Sequence, residues 1–316
     1  MHKKISIGLT VAIAVLAITL TALITTAVTM NIYSSLVSDL PEREAMYNSL
    51  AEIDSLIRNE YYGTVEEESL NGAISDSYLS SLTIGNNYKM SAEEYSAYKL
   101  RQSGRDKNGN EIKSVSFRKH NSVGYIKISD FTDTTSSEFT AAVTSLKNDS
   151  VAGIVIDVRD TDSINISAAA EVIDKIVPIA STGTKAIATA VDKNNANTVV
   201  FSSDAESIAL PVSVIINSNT SGAGELLACD VRDFGKGTIV GKTTAGNGSY
   251  QKIFELSDGG AIVLTVARLL PYKSDCYDGT GVKPDYVVEG KADADLKKDN
   301  QFMQAYASVL SMQKGD

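Results

Sequence analysis

The chain has 316 residues, 43% of them hydrophobic and 22% charged, a balance that fits a folded protein and excludes wholesale disorder. A formal net charge of −10 makes the phosphate backbone of nucleic acid an unsuitable partner, so no nucleic acid is expected. One of the two histidines is His2 at the terminus, and there are only two cysteines. A His/Cys metal site would therefore have to be gathered from distant segments, and no cofactor or metal is expected.

Lys3 and Lys4 precede an uncharged run, Ile5–Met30, long enough for a membrane-crossing helix. The basic start predicts a single-pass cell-membrane protein with its globular part outside the cytoplasm. A cleaved signal peptide is the alternative for this segment (residues 1–34). From 35 to 100 the pattern is helical: Met46, Leu50, Ile53, Leu56 and Ile57 share one face. "VEEESLNGAISDSYLSSL" then starts a second helix with acidic residues, and Ser91 caps a third, "SAEEYSAYK". Residues 101–122 form a polar linker around the turn "DKNG".

From 123 to 292 strands and helices alternate. "VGYIKI", "VAGIVIDVR", "PVSVIIN" and "GTIVG" read as strands, with helices in "TSSEFTAAVTSLKN", "SAAAEVIDKIV" and "AGELLACDVRDFG". "KAIATAV" and "TVVFSS" suggest a hairpin, and "SYQKIFEL" and "AIVLTVARLL" two further strands. A last helix, "DNQFMQAYASVLSM", lies in 293–316. This order predicts an α/β domain with a helix-covered sheet.

The motifs "GYIKISDF", "GIVIDVR", "NSNTSGAGELLA", "FGKGTIVGKTTAGNGSYQ", "LSDGGAIVLTVARLL" and "GTGVKPDYVV" resemble, in order and spacing, those of the C-terminal processing peptidases, or tail-specific proteases. The resemblance covers roughly residues 45–290. It implies a crotonase-like (ClpP/crotonase) α/β core and a serine–lysine dyad that cuts peptides. The family serine stands three residues before a glutamate, here Glu225, so its position is Gly222. The family lysine lies in a later G-K-G turn, here "GNG", which makes its position Asn247. Gln251 matches a glutamine common in the family. The family's N-P-G-G turn, which helps hold the oxyanion, is here Thr161–Ile164, with Ser163 and Ile164 in place of the glycines. Between Tyr98 and Val123 there is no room for the family's peptide-binding PDZ domain.

Glycine carries no nucleophile and asparagine accepts no proton. The resemblance with these departures implies an inactive pseudopeptidase. Such a protein would retain the fold as a module binding a peptide or protein ligand, possibly an active relative. Ser163, Ile164 and the helix-start amide of Ala223 are the expected peptide-binding positions. The alternative is a serine endopeptidase with a rearranged site, using Ser221 as nucleophile and Lys242 as base. Against it, Ser221 reads as a helix N-cap. His120 reads as a solvated linker residue, and a serine restored at position 222 is expected to be tolerated. Whether Cys229 and Cys276 pair stays open.

Overall fold

The computed structural model describes residues 16–30, 40–177, 185–203 and 207–313. Two compact units, Met1–Gly72 and Ala73–Asp316, are considered separately. In the first, residues 16–30 form helix α1 and Leu40–Glu60 form α2. α2 forms where the helical pattern predicts a helix, but none of its residues is buried, so its apolar positions join no core among the described residues.

The expected membrane span requires correction. Among the described residues no helix is long and apolar enough to cross a membrane. Helix α1, residues 16–30, covers part of the uncharged run Ile5–Met30. The remainder of Ile5–Met30 lies outside the described residues. A single-pass placement, and membrane contact through residues 5–30, are therefore not supported.

In the second unit six strands form one sheet: β2 (Val115–His120), β3 (Val123–Ile128), β4 (Gly153–Asp157), β8 (Val212–Ile216), β10 (Gly237–Gly241) and β13 (Tyr286–Val287), in the order β13-β10-β8-β4-β3-β2. All neighbours are parallel except β2, which is antiparallel to β3. β4 and β8 are buried at every position, as their unbroken apolar runs require of parallel strands covered on both faces. Ile154, Ile156, Val212, Val214 and Ile216 face one core with helices α5 (Thr135–Asn148), α6 (Ile166–Ile176) and α7 (Ala223–Asp233). Val155 and Ile215, one residue out of phase, face Phe302, Ala305 and Val309 of α8 (Asn300–Gln313). Each such buried side chain contributes roughly 1.5–3 kcal/mol relative to exposure. The α/β arrangement is thus as the alternating pattern requires.

A second, antiparallel sheet contains β1 (Tyr88–Met90), β6 (Lys185–Asp192), β7 (Asn197–Ser203), β11 (Ser249–Glu255) and β12 (Ala261–Leu270), in which β6 and β7 form the expected hairpin. α3 (Glu67–Ser80) and α4 (Ala92–Gln102) also form. α4 starts with Ser91 accepting from Glu94 N at 3.2 Å while Glu94 accepts from Ser91 N at 2.8 Å. After α4, residues 103–114 make a tight turn in which Gly109 N bonds Asp106 O at 2.9 Å, and the chain enters β2 directly. No separate domain is inserted there.

Two very short strands, β5 (Asp162–Ser163) and β9 (Ser221–Gly222), pair in parallel with Asp162 beside Ser221 and Ser163 beside Gly222. No apolar periodicity predicts a two-residue strand. This ribbon brings together the two turns that matter most below.

Candidate functional site

The turn after β4 is positioned by a buried charge network. Arg159, 1% exposed, donates from Nε to Asp157 Oδ1 at 3.0 Å and from Nη2 to Asp157 Oδ2 at 2.6 Å and Asp299 Oδ2 at 2.7 Å. Its Nη1 reaches Gln301 Oε1 at 2.9 Å, and Tyr125 donates to Asp157 Oδ2 at 2.7 Å. Burial alone would raise the Asp157 carboxyl, but the Arg159 hydrogen bonds and charge, with Lys127 and Tyr125, hold it below the usual carboxylate range. A buried pair so satisfied fixes geometry, and it ties the end of β4 to the start of α8.

Beyond it, Asp160 holds the chain at φ +62° and clasps the turn before α7. Its Oδ1 accepts from Asn217 Nδ2 at 2.8 Å and Asn219 Nδ2 at 2.9 Å. Ser221 N then donates to Thr161 O at 2.8 Å, starting the β5–β9 ribbon.

Gly222 is the residue before α7, with φ +59° and ψ −108°. A Cβ there would lie 2.4 Å from Ser163 O and 3.8 Å from Asn247 Nδ2. Positions 222 and 247 are therefore neighbours, but a backbone carbonyl stands where a side chain at 222 would begin. Serine at this position is strained on two counts, a backbone region costly for L-residues and a contact with main chain. The expectation that it is tolerated there is corrected.

Glu225 links the two turns. Its carboxylate is fully buried and has no cationic partner among the described residues. Oε2 accepts from Gly222 N at 2.9 Å and Asn247 N at 2.8 Å. Oε1 accepts from Gly246 N at 2.7 Å and from the Thr244 hydroxyl. Its hydrogen bond to Gly222 N replaces a side-chain cap at the helix start. Ser221 is accordingly a strand residue and not the N-cap.

The other expected site residues separate. Lys242 pairs with Glu289, and its side chain is 39% exposed. Ser163 is buried, donating to Phe131 O at 3.2 Å. Ala223 is fully buried, and Thr161 Oγ1 stands 2.4 Å from where a Cβ on Gly224 would lie. Ile164 and Gln251 reach an open groove of about 290 Å³, which Tyr98, Asp133, Phe201 and Tyr250 also line. Gln251 donates from Nε2 to Asn86 O, joining β11 to the segment before β1. Sequence reasoning did not single out Asp133, Tyr98 or Phe201, because three distant segments supply them. His120 is no solvated linker residue: it ends β2 and meets the ring of Phe302 edge-on at 5.3 Å. Cys229 and Cys276 are both free thiols.

Residues 122–288, just over half of the chain, match Peptidase family S41, and the chain belongs to this family, that of the carboxyl-terminal processing peptidases. It is 30% identical over 168 residues to a chloroplastic carboxyl-terminal-processing peptidase of Arabidopsis thaliana, covering 52% of this chain and 31% of that one. It is 30% identical over 169 residues to a carboxyl-terminal-processing protease of Synechocystis, covering 53% and 38%. The matched stretch thus spans about a third of the length of these curated relatives. A lipoprotein structure from Streptococcus agalactiae shares the fold, with a TM-score of 0.57 at 15% identity over 78% of this chain and 84% of that one.

Proposed function

We propose that this chain is a catalytically inactive member of its family that keeps the crotonase-like core as a module binding an extended peptide or a protein segment. The observation that carries the reading is the juxtaposition of Gly222 and Asn247, 3.8 Å from Nδ2 to the position of a Cβ, with Ser163 O filling the space between turn and helix. These are the positions read as nucleophile and base. One has no side chain, and the other has an amide that takes no proton at any working pH. An open groove is lined by Ile164, next in the chain to Ser163, and by Gln251, which supports binding without turnover.

The rearranged alternative gains nothing from the geometry. Lys242 is engaged with Glu289, and Ser221 belongs to the β5–β9 ribbon. The purified protein should neither hydrolyse casein nor react with a fluorophosphonate serine probe. Turnover or labelling that disappears in Ser221→Ala would refute the inactive reading.

A further inference from the structure

The groove carries information about its ligand. Its walls mix apolar and aromatic side chains, Ile164, Ile253, Phe201, Tyr98 and Tyr250, with neutral polar ones. Among the described residues that line it, Asp133 is the charged one. A second carboxylate, Asp162, lies two residues before Ile164 in the same extended turn and is exposed. Tyr88, Tyr98, Ile164 and Ile253 all pack against the cluster of Met90, Ala261 and Val263, and the charges of Asp162 and Asp133 act on Tyr88 and Tyr98 respectively. The Tyr98 hydroxyl is pushed up to about 12, first by burial and then by nearby Tyr88, Asp130 and Asp133, and Tyr88 is raised by burial and then by Asp162. Both phenols stay neutral and present ring faces and hydroxyl groups.

The cations of β1 and α4 are already engaged. Arg101 donates to Asp130 at 2.6 Å, Lys89 pairs with Asp258 at 3.1 Å, and Lys99 lies over the Tyr95 ring at 4.3 Å. One feature of the groove would favour an anion, the start of α6 at Ile166 and Ser167. That place is taken: Asn165 caps the helix through Ala168 N at 3.0 Å and donates to Gln102 Oε1 at 2.8 Å and Asp133 Oδ1 at 3.3 Å. A carboxylate entering there would meet Asp133.

We infer that the groove selects an extended peptide segment bearing an arginine or lysine side chain between apolar residues, its cation held between Asp133 and the aromatic rings. This rests on the peptide-binding reading above and specifies its ligand. A carboxylate beside exposed ring faces is the environment that attracts such a cation.

The test is calorimetric titration of the full chain with peptides capped at both ends, with valine and isoleucine flanks and a central arginine, glutamine or glutamate. The arginine peptide should bind tightest, by about tenfold over the glutamate peptide. Asp133→Asn, which keeps the oxygen that Asn165 bonds, should weaken the arginine peptide about fivefold and leave the glutamine peptide unchanged. Asp149→Asn, a remote surface change of equal charge, should do neither, which separates the groove from the general negative field. Equal binding of the three peptides, a preference for glutamate, or equal effects of Asp133→Asn and Asp149→Asn overturns the inference and leaves peptide binding standing. If none of the three peptides binds, the peptide-binding reading itself fails, and this inference with it.

Discussion

The two ends of helix α7 treat a buried acid in opposite ways. Glu225 in the first turn and Asp230 in the second half are both fully buried. Glu225 accepts four hydrogen bonds, three from main-chain amides and one from Thr244. Asp230 accepts one, from Tyr272 N at 2.9 Å, while its Oδ2 and the buried Tyr277 hydroxyl have no partner among the described residues. The contrast shows what maintains the site. Both turns are held by Glu225, which bonds their backbone irrespective of the side chains at 222 and 247. The side chains at these two positions can therefore change while the local architecture stands.

The largest effect that would sharpen this comparison is at Glu225. Glu225→Leu leaves three amides and a hydroxyl buried without acceptors, and should cost about 4 kcal/mol or more in urea unfolding. Glu225→Gln keeps the shape but turns an amide group toward two of the donors, and should cost about half as much. A Leu variant within about 1 kcal/mol of the parent would mean that the turns are held by something other than this carboxylate.

Next in size is Gly222→Ser. Backbone at φ +59° and ψ −108°, together with the contact at Ser163 O, should cost about 2 kcal/mol. Combined with Asn247→Lys it should remain unlabelled by a fluorophosphonate probe, because the carbonyl stands in the hydroxyl's path. Adding Ser163→Gly and Ile164→Gly frees that turn and should allow slow labelling. A double variant as stable as the parent and readily labelled would show that the β5–β9 ribbon does not close the position.

Much of this was legible in the chain. The runs of β4 and β8, the cap at Ser91, and the β6–β7 hairpin follow from local periodicity and capping chemistry. The two turns could be paired through the family resemblance, since Glu225 fixes Gly222 by counting. What could not be read is three-dimensional closeness. The β5–β9 ribbon needs only two residues per strand, so it leaves no periodic trace. The positive φ at Gly222 is invisible beside Ala223 and Gly224, where any small residue would read alike. Lys242 is five residues from Asn247 in sequence, yet it pairs with Glu289, because β10 and β13 run in parallel with Gly241 beside Val287 and so bring the residues after each strand together.

The smallest predicted effect, and the one with a sign to check, is at the other end of α7. Burial drives the Asp230 carboxyl well above its usual range; the Tyr272 amide opposes this and the Asp233 charge adds to it. A carboxyl raised in the folded state contributes stability that is fully present below its unfolded value, about 4, and is lost as the pH rises through the folded value. Asp230→Asn keeps the oxygen that Tyr272 N bonds and removes the titration. The variant should match the parent near pH 3 and become more stable than it with rising pH, by about 1 kcal/mol or more at pH 7. Asp157, depressed by Arg159, works in the opposite direction in both proteins and so cancels in the difference. Thermal unfolding of the pair across pH 3 to 8 measures it. A difference that is constant with pH would mean that Asp230 does not titrate between folded and unfolded states, and the two acids of α7 would then differ in hydrogen bonding alone.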